Sequence, residues 1–277
     1  TPEIYTLSLH DALPISPVVL REMKKRGERI VALTAYDFHA SALLNDEGVD
    51  LILVGDSLGM VLLGYPTTLP VTMEEMLHHT RAVARGNARA LLVGDMPFMA
   101  AGVSVEETVR NAGRFVKEAG AHAVKLEGGE GIAPEIRAVV RAGVPVLGHI
   151  GLTPQDVLVL GGYRVQGRGD DAARRVEEDA RAVEEAGAFA IVLECLPAEL
   201  AARVTASVGI PTIGIGAGPS CDGQILVLND ILGLSPGRAA RFVKVYADLG
   251  AGMRDAVSRY AAEVRGGQYP DAGHSYK

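Results

Sequence analysis

Eight short apolar runs with helical segments between them constrain this chain more than any other feature. They fall at 30–35, 51–54, 90–94, 123–126, 144–148, 189–193, 212–216 and 225–228. Each is continuous rather than alternating, as expected of parallel strands covered on both faces. The segments between them carry helix punctuation. "TMEE" at 72–75 and "SVEE" at 104–107 are capping-box sequences, in which an N-cap hydroxyl and a following glutamate satisfy free backbone donors. Gly86, Gly120, Gly143 and Gly187 close helices before the next run, and 170–187 sets charges over Ala and Val as an amphipathic outer helix. Residues 236–265 read as a longer helical tail, loose only after Gly266. Eight β/α units favour a single (β/α)₈ barrel, a TIM barrel; a doubly wound open sheet is the competing arrangement. No linker or composition break divides residues 17–277, which are expected to form one catalytic domain.

Residues 1–16, "TPEIYTLSLHDALPIS", stand apart. They contain no Lys or Arg and follow neither a helical nor a strand period. They lack the basic start and long apolar centre of a signal peptide, and "TLSLHDALPIS" resembles one reading frame of a sequencing adapter. The segment is expected to be non-native and to pack against nothing. The chain's net charge of −7 argues against nucleic acid or an anionic membrane as its main partner. No apolar run approaches the ~20 residues a membrane helix needs. Two cysteines without paired spacing, Cys195 and Cys221, suit a reducing cytoplasm.

Catalytic groups of such barrels sit at the C-terminal ends of the strands, and here those ends are polar. Asp56 follows the second run in "LILVGDSLGM" and Asp95 follows the third in "LLVGDMPF". Lys125 and Glu127 end the fourth in "VKLEGGE", His149 the fifth in "GHIGLTPQ", and Glu194 the sixth in "VLEC". One such Asp is as readily a helix N-cap. Three carboxylates converging on one mouth repel one another, and a divalent cation relieves that repulsion. Oxygen ligands with few histidines suit Mg²⁺, so Asp56, Asp95 and Glu127 are the metal candidates. Lys125 and Glu127, two apart on a strand, share the inward face; the ammonium suits a substrate carboxylate or a developing enolate. Glu194, beside apolar Leu193, is placed as a general base, or else pairs with an arginine of the 161–170 loop. His149 is a possible accessory group or a hydrogen-bonded core residue. The glycines of 214–223 fit a phosphate loop or simply a tight turn. His78 and His79 have no metal-like spacing, and Cys195 has no evident base.

"VGDSLGM", "TLPVT", "DMPFM", "VKLEGG", "GHIGLTPQ", "GGYRVQGR", "VLEC", "IGIGAG" and "DGQILVLND" occur in this order between Val54 and Asp230. Together they resemble the ketopantoate hydroxymethyltransferase family of pantothenate biosynthesis, from about residue 18 to the C-terminus. The resemblance implies a barrel of the phosphoenolpyruvate/pyruvate type, in a cytoplasmic homo-oligomer, commonly a decamer. By position, it implies Asp56, Asp95 and Glu127 at the metal; Asp56, Ser57, Asp95 and Lys125 at the oxoacid; and Glu194 as proton acceptor. The implied reaction moves a hydroxymethyl group from 5,10-methylenetetrahydrofolate to 3-methyl-2-oxobutanoate through a Mg²⁺-stabilised enolate. Pro66 stands where the family usually has an acid, and Ala100-Ala101 where a tyrosine is usual; both bear on substrate fit. A different metal-dependent enolising enzyme of this barrel type, such as a lyase or aldolase, and a non-catalytic binding barrel are the rival readings.

Overall fold

The structure is a computed structural model that describes residues 15–235, 237 and 240–276. The chain forms two compact units, which divide at residues 227 and 228. In the first, eight parallel strands close into a barrel in sequence order: β1 (Ile30–Thr34), β2 (Leu51–Val54), β3 (Leu91–Asp95), β4 (Ala123–Glu127), β5 (Val146–Gly151), β6 (Ala190–Glu194), β7 (Thr212–Ile215) and β8 (Gly223–Leu226), with β8 pairing back to β1. All eight expected strands are present, and the barrel replaces the open-sheet alternative.

Strand parity places the site. Leu91 and Val93 of β3, Ala123 of β4, Leu147 of β5 and Ala190 and Val192 of β6 belong to one buried cluster filling the barrel. Side chains two apart share a face, so the next inward positions are Asp95, Lys125 with Glu127, His149, and Glu194. Register then brings them level: Asp95 pairs with Lys125 across β3–β4, and Glu127 with His149 across β4–β5.

The flanking helices form where their punctuation directs. Thr72 Oγ1 accepts from Glu75 N while the Glu75 carboxylate accepts from Thr72 N, a complete capping box that opens Met73–Gly86. Ser104 caps Val105–Ala119 by accepting from Glu107 N at 3.1 Å, but the returning bond from Glu107 is not formed, so only half of the expected box exists. Asp170–Glu185 buries Val176, Ala180 and Val183 beneath its charged face.

Four expectations are corrected. Ile15 is 8% exposed within the barrel cluster and donates its N–H to Arg89 O; Ser16 caps Pro17–Arg26. The packed chain therefore begins at or before Ile15, because an apolar side chain and a helix cap are both needed there. Residues 1–14, the bulk of the segment expected to be foreign, lie outside the described residues. No helix separates β7 from β8, since only the seven residues Gly216 to Asp222 connect them. β8 begins at Gly223, ahead of the apolar run, because Gly223 pairs with both Ile30 and Ile213. A Cβ at Gly223 would stand 2.6 Å from Ile30 O, so this pairing needs glycine. Finally, in the second unit, which begins at Leu228, the helical tail is shorter than the expected 236–265. Its long helix is Leu249–Arg265 only, started by Asp248, whose side chain accepts from Ala251 N. That helix buries no residue, and Leu249, Met253, Val257, Tyr260 and Val264 form an exposed stripe along it. Among the described residues, no helix is long and apolar enough to cross a membrane.

Candidate active site

The C-terminal mouth of the barrel holds a cavity of about 120 Å³ lined by Asp56, Ser57, Asp95, Lys125, Glu127, His149 and Glu194, with apolar walls that include Leu53, Val192 and Ile225. Every residue assigned to the site from sequence lies on it. Space for one water needs roughly 10–15 Å³ by this measure, so the cavity suits a molecule of several heavy atoms.

Lys125 is the hub. Its Nζ lies 2.8 Å from Asp95 Oδ1, 2.8 Å from Glu127 Oε1 and 3.1 Å from His149 Nδ1. Asp95 Oδ2 accepts from the backbone N–H of Asp56 at 3.0 Å, joining β2 to β3. His149 bridges two acids, with Nδ1 3.2 Å from Glu127 Oε1 and Nε2 3.2 Å from Glu194 Oε2. Glu194 thus pairs with His149 and not with an arginine of the 161–170 loop. Ser57 Oγ meets the buried Tyr36 hydroxyl at 2.9 Å.

The electrostatics follow from burial among like charges. Burial, then the charges of Asp95 and Glu127, push the Asp56 carboxyl well above the usual carboxylate range. Burial also raises Asp95. Burial works against charge on Lys125, but Asp95, Glu127 and Asp56 outweigh it and hold the ammonium above its ordinary value. Glu127 is held low in spite of its burial by Lys125 and His149. Burial and Lys125 both disfavour an imidazolium at His149, yet Glu127 and Glu194 prevail and carry it to about 9. As an imidazolium, His149 donates Nδ1–H to Glu127, and Lys125 is then its like-charged neighbour.

The donor set fits a hard divalent cation. One carboxylate oxygen each from Asp56, Asp95 and Glu127 lies within 4.8 Å of the others. Burial raises both Asp56 and Asp95, and a bound cation would favour their ionised forms. Neither aspartate caps a helix, which removes the simpler reading of both. Cys195 is half-buried in a left-handed turn after Glu194, and burial and Glu194 push its thiol up to about 11, unsuited to a nucleophile. His79 packs by bonding Tyr36 O at 2.7 Å.

Two contributors went unmarked in the sequence. Tyr36, two residues after β1, orients Ser57. Gln155, in the 3₁₀ turn Pro154–Asp156, donates from Nε2 to Asp56 Oδ2 at 3.0 Å and from its backbone N–H to Glu127 Oε2 at 3.1 Å. Tyr36 follows a strand end and was findable by the rule that located the acids; Gln155 is a neutral loop residue with no such signal.

Comparison with known proteins places the chain in a family and the barrel among known folds. Residues 15–272 match the family described as ketopantoate hydroxymethyltransferase. The 3-methyl-2-oxobutanoate hydroxymethyltransferase of Syntrophus aciditrophicus is 58% identical over 262 residues, 95% of this chain and 96% of the relative. That of Moorella thermoacetica is 56% identical over 258 residues, covering 93% and 96%. Among solved structures, phosphoenolpyruvate phosphomutase from Streptomyces platensis subsp. rosaceus shares the fold at a TM-score of 0.59 and 16% identity, covering 95% of this chain and 92% of that one. 2,3-Dimethylmalate lyase does so at 0.56 and 16%, covering 94% and 91%. With a family match over residues 15–272 and more than half its residues shared with named relatives, the chain belongs to the ketopantoate hydroxymethyltransferase family.

Proposed function

We propose that this enzyme transfers a hydroxymethyl group from 5,10-methylenetetrahydrofolate to 3-methyl-2-oxobutanoate, giving 2-dehydropantoate for pantothenate biosynthesis. The observation that carries this reading is one cavity with an acid cluster and a separate carboxylate, Glu194, on the neighbouring wall, in a chain whose relatives bear that name. Asp56, Asp95 and Glu127 would hold Mg²⁺, which supplies Lewis-acid polarisation of the oxoacid's keto group. Asp56, Ser57, Asp95 and Lys125 bind the oxoacid. The Lys125 ammonium, fixed by two acids, presents fixed positive charge to the carboxylate and to negative charge developing on the keto oxygen. Glu194 accepts the proton from C3, and His149, 3.2 Å away, keeps that carboxylate oriented. The resulting carbon nucleophile bonds to the methylene carbon, and both C–N bonds that hold this carbon to the folate break. Water supplies the hydroxyl oxygen, and tetrahydrofolate leaves with one proton from that water and the one Glu194 took from C3. The enzyme is read as a cytoplasmic homo-oligomer, a decamer, supported by the family and by the exposed apolar stripe of the 249–265 helix.

Deuterium exchange tests the base. Glu194→Gln is nearly isosteric and should retain oxoacid and Mg²⁺ binding while slowing solvent deuterium exchange at C3 of 3-methyl-2-oxobutanoate about 10²–10⁴-fold. Exchange at the parent rate would remove Glu194 from that role. Product formation by the parent without any folate would favour a lyase or aldolase instead.

A further inference from the structure

Gln155 stands outside the acid cluster but touches two of its members. Its Nε2 donates to Asp56 Oδ2 at 3.0 Å and to Met96 O at 2.9 Å, and its backbone N–H donates to Glu127 Oε2 at 3.1 Å. One residue from the loop after β5 therefore ties together the segments that end β2, β3 and β4. Building on the reading that these acids hold a divalent cation, we propose that Gln155 is the positioning residue that fixes Asp56 and Glu127 in the cation-binding arrangement.

Three features suit it to this. Its donors are neutral, so it restrains two carboxylates without cancelling the charge that attracts a cation; a Lys or Arg there would restrain and neutralise together. The backbone beneath it is braced. Pro154 limits its own φ, Thr153 Oγ1 donates to Asp156 Oδ2 at 2.6 Å, and Asp156 N donates to Thr153 O at 2.9 Å. The same loop is also tied to the base, since Leu152 N donates to Glu194 O at 2.9 Å. A single short loop thus spaces the acid cluster from Glu194. Without the amide, Asp56 loses its side-chain hydrogen bond to this loop, and its carboxyl group is freer to swing from Glu127 and Asp95. Partners that orient metal ligands are typically worth 10–100-fold in metal affinity.

The test is Gln155→Met in the full chain, which keeps length and volume but removes both side-chain donors. Titration calorimetry with MgCl₂ should show Mg²⁺ binding weakened about 10–100-fold, while the melting temperature without metal stays close to the parent's. Should that variant not fold, Gln155→Asn, whose amide falls one methylene short of Asp56, carries the same expectation. Parent-like Mg²⁺ affinity, whether melting falls or not, would show that Gln155 does not position the acids. A parent chain that itself binds no Mg²⁺ would instead overturn the cation reading, and this proposal with it.

Discussion

Gly94 separates the outer packing of β3 from its active-site end, which makes Gly94→Ala a sensitive probe. Gly94 faces outward, and the next residue, Asp95, faces into the site. A Cβ at Gly94 would lie 2.3 Å from Phe115 Cδ1 and 2.6 Å from Cε1, whereas ordinary contact begins at 3.4 Å. Phe115 is fully buried, so the ring has no open space to enter. Ring or strand must therefore move by about 1 Å in a close-packed layer, and overpacking of this kind costs about 1–3 kcal/mol. For a chain of this size, that corresponds to a melting temperature roughly 2–12 °C lower. If the strand yields, Asp95 shifts with it, and Mg²⁺ binding by calorimetry weakens as well. Phe115→Leu frees the space; the double variant should recover part of the loss, with a coupling of about 0.5–3 kcal/mol. A Gly94→Ala chain that melts within a degree of the parent, or single effects that simply add, would refute the idea that the Phe115 ring sets how β3 presents Asp95.

Two further outcomes follow from the electrostatics and from the C-terminal helix. Because burial and neighbouring acids raise Asp56 and a cation favours its ionised form, Mg²⁺ binding should release protons and tighten as pH rises through a range well above the ordinary ~3.9 of aspartate; an affinity independent of pH would contradict this. The exposed stripe from Leu249 to Val264 should be covered in a homo-oligomer, so sedimentation at micromolar concentration should show a multiple of the 29.1 kDa chain, and a monomer would count against it.

The barrel was legible because parallel strands covered on both faces must be continuously apolar, and eight such runs have few other uses. The site was legible for a related reason. Once Leu91 and Val93, or Ala123, are known to face inward, parity carries Asp95, Lys125 and Glu127 to the same interior. Features governed by single hydrogen bonds or by pairing were not legible. The tail helix starts at Asp248 because its carboxylate finds Ala251 N, and nothing in the run from 240 to 247 announces that. β8 starts at a glycine because Ile30 and Ile213 pair there, which only register reveals. Gln155 was passed over because a neutral amide has no charge pattern to read, and its partners are 99 and 28 positions away in sequence.

The charge balance of the mouth explains why so much positive character sits among residues proposed to hold a cation. Asp56, Asp95, Glu127 and Glu194 bring four carboxylates, and Lys125 with a protonated His149 brings two compensating charges. Full ionisation would leave two negative charges buried, a costly state, and the raised Asp56 and Asp95 carboxyls are the protein's response to it. A divalent cation matches that deficit. Lys125 stands between Asp95 and Glu127, and His149 between Glu127 and Glu194. Asp56 is instead restrained by a backbone N–H–linked neighbour and a neutral amide. The cluster is thus graded, from Asp95 and Glu127, each in direct contact with the Lys125 ammonium, to Asp56, whose nearest side-chain partner is a neutral amide and whose carboxyl is pushed well above the usual range, so the Asp56 end leaves a cation most to gain.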